Sequence, residues 1–146
     1  MFSTIFDIAA NAMSANRLRI NTIASNIANA ETTQTKEGGP YKRRDVVFAA
    51  TDVDTKEAFS NTLDQATLKG VKVAAVTKDD KPPRMIYDPG HPDADPLTGM
   101  VAMPNVNPVT EMVNLLTASA AYKAASEVVN VTKDLAAAVR RLGERV

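Results

Sequence analysis

MFSTIFDIAANAMSANRLRINTIASNIANA, residues 1–30, decides the fold of this chain. The stretch contains no proline and no glycine, and its only charged residues are Asp7, Arg17 and Arg19. Apolar residues recur at spacings of three and four, which is a heptad pattern and predicts a long helix packed on another helix. The members of this predicted seam, one of them polar, are Phe6, Ala9, Met13, Asn16, Ile20, Ile23, Ile27 and Ala30.

The other faces of this helix are also poor in charge. They carry alanines, and the helix as a whole holds five asparagines, Asn11, Asn16, Asn21, Asn26 and Asn29. A helix with one face in water normally places Lys and Glu there. We therefore expect more than one face to be covered, by other subunits. A buried Asn in a seam fixes register at some cost in stability. The alternative is a weakly specified surface helix, and the lack of charge favours the register interpretation.

Proline and glycine divide the chain into three segments. All eight prolines lie from Pro40 to Pro108, and five of the six glycines lie from Gly38 to Gly99. The uninterrupted ends predict an N-terminal helix in residues 1–33 and a C-terminal helix in residues 108–146, with a β-rich middle in residues 34–107. The expected fold class is mainly α with a small β insert. The two long terminal helices form a helical hairpin or coiled coil and are joined by a short antiparallel β-rich middle.

Local signals place the boundaries of these elements. Thr4 to Asp7 fits a capping box, and Asn107 fits an N-cap followed by Pro108 and an acidic residue, Glu111, that complements the positive helix end. Gly143 is a natural stop. Strands are predicted over 41–48, 71–76, 84–87 and 101–103, and together they form a small hairpin unit. Residues 51–69 are predicted to be irregular, with a short helix around 56–59.

Two apolar lines run along the predicted C-terminal helix. The first contains Val109, Val113, Leu116, Ala120, Ala124, Val128, Val131, Leu135, Ala138 and Leu142. The second contains Met112, Leu115, Tyr122, Val129, Ala136 and Val139. A helix with two apolar lines is suited to packing on more than one neighbour.

Composition excludes several functions. Seventeen basic residues balance 17 acidic ones, so nucleic acid is not an expected partner. There is no Cys for a disulfide or thiolate site, and no phosphate loop, dinucleotide fingerprint or nucleophile elbow. We expect no enzyme activity, no cofactor and no small-molecule substrate. No run is long and apolar enough to span a membrane, and the start does not resemble a cleavable signal peptide. Export would therefore leave the N-terminus in place.

Two polar segments carry residue types that occur at binding sites. Asp88, His91, Asp93 and Asp95 contain metal-ligand types, but their spacing fits neither a calcium loop nor a zinc site, and a rigid turn capped by Asp is favoured, so no metal is expected. The basic run Lys42–Arg44 is either an exposed strand end or a grip for the carboxylates of an acidic partner surface, and the second is favoured over nucleic acid.

The strongest signal is a family resemblance. Residues 19–33, RINTIASNIANAETT, closely resemble the N-terminal signature of flagellar axial proteins, and residues 111–119, EMVNLLTAS, with 121–122 and 131–143, resemble its C-terminal counterpart. Residues 39–48, GPYKRRDVVF, and 87–108 are similar to the proximal rod members of the flagellar basal-body rod protein family. The chain departs from relatives at Ala120, Lys123 and Ala125, so polar contacts made there in relatives are not expected here.

This resemblance implies a structural subunit of the proximal rod. Such subunits polymerise into a helical tube that transmits torque and forms part of the export channel, with the terminal helices inside and the β-rich insert further out. The implied partners are further copies of the chain, other rod proteins, the membrane-ring and export-gate end of the basal body, and the flagellar type III export apparatus. The implied location is the rod crossing the periplasm.

The residues expected at assembly interfaces come from both helices and the basic run. They are Phe6, Met13, Asn16, Ile20, Asn21, Ile23, Asn26, Ile27, Asn29, Arg43, Arg44, Val113, Leu116, Tyr122, Val128, Val131 and Leu135. Two other functional classes compete with this interpretation. One is an enzyme acting on peptidoglycan, with Asp88, Asp93 or Asp95 as acids, and the other is a coiled-coil adaptor that forms a closed dimer.

Overall fold

A computed structural model describes residues 2–52 and 68–143 of the chain. Two long helices, α1 (Phe2–Ala28) and α2 (Pro108–Gly143), enclose four strands in sequence. The strands are β1 (Arg44–Asp52), β2 (Lys69–Lys78), β3 (Arg84–Tyr87) and β4 (Met100–Met103). The predicted combination of two terminal helices and a small antiparallel β-rich middle is confirmed. The irregular segment and short helix expected between residues 53 and 67 lie outside the described residues.

The strands form two separate sheets of two strands each, where the sequence predicted one hairpin unit. β1 pairs with β2 in antiparallel register from Arg44 opposite Lys78 to Asp52 opposite Lys69, with a shift between Val47 and Phe48. β3 pairs with β4. β1 begins at Arg44 instead of at residue 41, because the Tyr41 backbone N–H donates to the Thr32 carbonyl and so belongs to the turn that leaves α1.

α1 is the central layer of the described structure. α2 packs along one side of it, and β1 and β2 pack on it as well; among the described residues no strand packs on α2. The Arg19 guanidinium lies 5.8 Å from the centroid of the Phe48 ring of β1. No member of the predicted α1 seam is exposed. The β1–β2 sheet covers a second face of α1, while Asn11, Arg17 and Asn21 stay exposed, so the expected cover by other subunits stays a prediction.

The N-terminal boundary of α2 agrees with the prediction, and that of α1 does not. Asn107 Oδ1 accepts the backbone N–H of Val109 at 3.0 Å, as expected of an N-cap. Gly143 is the last residue that the structure describes, so its role as a helix stop stays a prediction. The capping box predicted at Thr4 to Asp7 is wrong, because α1 begins at Phe2 and both residues lie inside the helix. A four-residue capping pattern occurs often by chance inside helices.

The helix pair is built mainly from small side chains. Ala9 of α1 and Ala118 of α2 are buried, and Ile23 is the large apolar residue that is buried in α1. A second small core, formed by Ala30, Tyr41 and Val106, lies where the middle segment meets the helices. Small residues let helix backbones approach closely, but they contribute little burial energy each. The specificity of the fold must therefore rest partly on polar contacts.

Candidate functional site

A buried group of polar side chains joins three distant parts of the chain. We call it the polar junction and define it as Asn26, Tyr41, Arg43 and Glu111. Asn26 comes from the last turn of α1, Tyr41 and Arg43 from the segment that enters β1, and Glu111 from the first turn of α2. The Asn26 and Glu111 side chains are among the most buried of the described residues, at 0% and 1% exposure.

Asn26 satisfies its full hydrogen-bonding capacity inside the chain. Its Nδ2 donates to the Arg44 carbonyl at 2.8 Å and to Glu111 Oε2 at 2.9 Å. Its Oδ1 accepts the Tyr41 hydroxyl and the Arg44 backbone N–H, both at 2.9 Å. An amide side chain offers two donors and two lone pairs, so no capacity remains. Asn26 therefore fixes the position of the segment entering β1 against the end of α1.

Glu111 connects the junction to α2 through an ion pair. Its Oε1 accepts a hydrogen bond from Arg43 Nε at 2.9 Å, and the second oxygen is held by Asn26. Arg43 also pairs with Asp45 at 3.2 Å. Burial lowers the pKa of the Arg43 guanidinium, but the bonds to Glu111 and Asp45 outweigh this and raise it above its usual value. A buried carboxylate is tolerated only with such partners.

The outer surface of α2 carries a line of exposed apolar side chains, which are large near both ends of the helix and are alanines, Ala120 and Ala124, between Leu116 and Val128. We call it the apolar stripe. Its large members are Val109, Met112, Val113, Leu116, Val128, Val131, Leu135 and Leu142, all of them exposed. The less exposed residues of α2 repeat at alternating spacings of four and three on the opposite side, at Glu111, Leu115, Ala118, Tyr122, Ala125, Val129, Thr132 and Ala136. The first predicted apolar line thus faces away from α1, and part of the second line faces it.

The predicted interface residues fall into three groups. Val113, Leu116, Val128, Val131 and Leu135 are exposed on the apolar stripe, and Asn21 and Arg44 are exposed elsewhere. Half-buried positions are Phe6, Met13, Asn16, Ile20, Ile27, Asn29, Arg43 and Tyr122. Ile23 and Asn26 are buried within the chain, so in this conformation they have no surface to offer a second subunit. The role of the whole set in assembly stays a prediction.

The loop between β3 and β4 uses its acidic residues to hold itself and to dock on the end of α1. Asp88 Oδ1 accepts the Gly90 N–H at 3.2 Å, and Asp95 Oδ1 accepts the Leu97 N–H at 2.8 Å. Asp93 accepts the Thr33 hydroxyl at 2.7 Å. These contacts are those of a capped turn. Within residues 2–52 and 68–143, no group of three His, Cys, Asp or Glu side chains could hold a metal ion.

The sequence did not predict that Glu111 and Tyr41 belong to the polar junction. Glu111 was interpreted only as a complement to the helix dipole, and Tyr41 only as a strand residue. Their common signal is indirect: each is a polar or amphipathic residue beside a predicted element boundary, where chain segments converge.

Neither described helix has the length and apolarity needed to cross a membrane.

Comparison with known proteins identifies relatives along nearly the whole chain. A family model described as flagella basal body rod protein matches residues 6–34, and one described as flagellar basal body rod FlgEFG protein C-terminal matches residues 97–142. The flagellar basal-body rod protein FlgC of Borreliella burgdorferi is 42% identical over 141 residues, 92% of each chain. The FlgC protein of Salmonella typhimurium is 43% identical over 140 residues, 96% of each chain.

Proposed function

From the premise that this chain belongs to the flagellar basal-body rod protein family, FlgC, we propose that it polymerises through its apolar stripe into the helical tube of the proximal rod. The chain is a structural rod subunit that serves flagellar motility. The finer proposal is that the tube transmits torque and encloses part of the export channel, and that its subunit performs no catalysis.

The exposed apolar stripe is the observation that carries this proposal. α2 has 36 residues and is about 54 Å long at roughly 1.5 Å per residue, and the stripe runs from its first turn to its last. Leu116 is 71% exposed and Leu142 is 68% exposed. Continuous exposed apolar surfaces of this kind mark interaction sites, because a monomer gains nothing by presenting them to water.

The order of layers supports the proposed arrangement in the tube. α2 lies on one side of α1, and the β1–β2 sheet packs on α1 without packing on α2 in the described part of the chain. With the stripe turned toward neighbouring subunits, α2 would occupy the inner part of the tube and the sheet an outer position. We also propose that α1 and α2 of each copy pack by coiled-coil contacts, because the less exposed residues of α2 repeat in heptads.

The proposed partners follow from polymerisation at a defined place. They are further copies of this chain, other rod proteins, the membrane-ring and export-gate end of the basal body, and the type III export apparatus that delivers the subunit. The proposed location is the rod crossing the periplasm, reached with the N-terminus retained. An open helical assembly requires two different surfaces on each subunit, and the stripe is one of them.

Charge placed on the stripe tests the proposal. In the bacterium that encodes the chain, we expect Leu116→Asp and Leu135→Asp each to reduce its incorporation into isolated basal bodies by at least about tenfold and to abolish swimming in soft agar, because a carboxylate would be buried in an apolar contact. The matched control is Asn130→Asp, which places the same carboxylate on an exposed position of α2 outside the stripe. Incorporation of both stripe variants at the level of the unsubstituted chain would refute the proposal.

A further inference from the structure

A cleft rich in positive charge lies beside the polar junction. We call it the basic cleft. It has a volume of about 310 Å³ and lies between the turn at residues 35–40, the start of β1 and the end of β2. Lys36, Lys42, Arg44 and Lys78 line it, and Glu37 is its one acidic lining residue. Four cations against one carboxylate give this cleft an excess of positive charge in a chain whose overall charge is balanced.

Glu37 already occupies the basic cleft as a carboxylate ligand would. It accepts a hydrogen bond from Lys78, and this bond, together with the charges of Lys78, Arg44 and Lys42, lowers the pKa of the Glu37 carboxyl. The cations therefore converge on one position. Neither partner of the ion pair is buried, since the Glu37 side chain is 70% exposed and the Lys78 side chain is 45% exposed, so the pair can exchange for another carboxylate without exposing a buried group.

An acidic surface of matching charge lies on the same chain. From Met85 to Tyr122 there is no Lys or Arg, and the β3–β4 loop within this span carries Asp88, Asp93 and Asp95. Asp88 and Asp95 are exposed and use Oδ1 to cap their own turns. A carboxylate has about four acceptor positions in all, so each can still bind a cation. We call this surface the acidic loop.

Within the described part of one copy, the basic cleft and the acidic loop form no ion pair with each other. Asp93 is held by Thr33 and Gln34, and none of the ion pairs between described residues joins the acidic loop to a cation of the basic cleft. Two complementary surfaces on one subunit that remain unpaired within it are suited to a head-to-tail contact, which is the kind an open helical assembly needs.

We infer that the basic cleft of one copy binds the acidic loop of a second copy, with aspartate carboxylates displacing Glu37 from its cationic partners. This inference rests on the proposed polymerisation and adds the second surface to it. The apolar stripe provides the apolar surface that is buried between subunits. The charged contact determines which neighbour binds and in what register. Because the contact is exposed to solvent, it weakens as salt concentration rises.

Isotope-mixed cross-linking tests the contact in the unsubstituted protein. Equal amounts of ¹⁴N and ¹⁵N full-length chain are mixed at a concentration at which they associate, and a carbodiimide joins carboxylates to amines in ion-pair contact. We expect mixed-isotope products that link Lys36 or Lys42 to Asp88 or Asp95, while the Glu37–Lys78 product stays within single-isotope chains. Products between cleft and loop that contain one isotope only, or no such products, would overturn the inference.

Charge reversal gives an independent measurement. We expect Lys42→Glu or Asp95→Lys alone to weaken self-association about threefold to tenfold, and the chain carrying both substitutions to recover it. Lys72→Glu is the matched control, because Lys72 is an exposed lysine of β2 outside the cleft lining. If Leu116→Asp abolishes association while Lys42→Glu has no effect, this inference fails and the proposed function stands. Absence of association in the unsubstituted chain would instead refute the proposed function.

Discussion

Removal of the Arg43 guanidinium tests whether the polar junction holds the two helices together. Arg43→Met keeps most of the aliphatic volume and removes the charge that faces Glu111. Breaking a buried ion pair from one side typically costs about 3–5 kcal/mol, because the remaining charge is left in a poorly solvated place. Glu111 is 1% exposed, so it meets this condition.

Two features of the junction place the expected cost at the lower end of that range. The Arg43 side chain is 21% exposed, so water already weakens its pairing. Glu111 also keeps two amide donors, Asn26 at 2.9 Å and Asn114 at 3.3 Å. We expect Arg43→Met to lower the free energy of unfolding by about 3 kcal/mol, which corresponds to roughly a hundredfold change in the equilibrium constant.

The second substitution separates the ion pair from simple loss of packing. In the double variant Arg43→Met with Glu111→Gln, no buried charge is left unpaired, and the new amide oxygen can still accept from Asn26. We therefore expect the double variant to be more stable than Arg43→Met alone, although it lacks one more native group. A loss of packing alone would make the double variant equally stable or less stable.

Native-state hydrogen exchange measures the effect at the junction. The backbone N–H of Arg44 donates to Asn26 Oδ1 at 2.9 Å, so its exchange reports the opening of this contact. We expect about a hundredfold faster exchange in Arg43→Met and a partial return in the double variant. Arg17→Met, at an exposed arginine of α1, is the control. Equal exchange in Arg43→Met and in the control would refute the reasoning.

Two further predictions concern the middle segment. The pKa of the Glu37 carboxyl should lie below 4.5, and Lys78→Met should raise this pKa toward 4.5 in a side-chain NMR titration. The stability contributed by the Glu37–Lys78 pair is therefore present above pH 4.5 and is lost as the pH falls through the lowered pKa. Gly99→Ala should destabilise the β3–β4 hairpin by about 1–2 kcal/mol, because φ is +66° and a Cβ atom would lie 2.8 Å from Tyr87 Cε2. Gly90→Ala, which meets one atom at 3.6 Å, should change hydrogen exchange in the hairpin much less.

The sequence was sufficient for features that depend on neighbours along the chain. Asn107 caps the start of α2 as predicted, since capping is decided within one turn of helix. β3 was predicted residue for residue, because Pro83 and the turn at residues 88–91 enclose it. The capping box at Thr4 failed for the same reason that the others succeeded: a local pattern carries no information about whether the chain before it is already helical.

Contacts between distant segments could not be predicted in this way. The polar junction joins residues 26, 41, 43 and 111, and no spacing in the sequence relates them. Asn26 was predicted as one of the α1 asparagines at an assembly interface, outside the seam whose polar member is Asn16, and the structure buries it inside the chain. The direction of its bonds, toward the entry of β1 and the first turn of α2, follows from the packing of the three segments together.

The two apolar lines of α2 show how the outward face can be recognised by side-chain size. Ala118 and Ala125 lie on the side that meets α1, while Leu116 and its large neighbours face outward. An isolated helical hairpin would gain more by turning the larger residues inward, since each leucine buries more apolar area than an alanine. The reversed order is favourable only where the outward residues are buried by another molecule. Seven of the ten residues of the first line are large and apolar, but only three of the eight inward residues are, namely Leu115, Tyr122 and Val129. This distribution favours a subunit whose outward side chains are buried by another molecule.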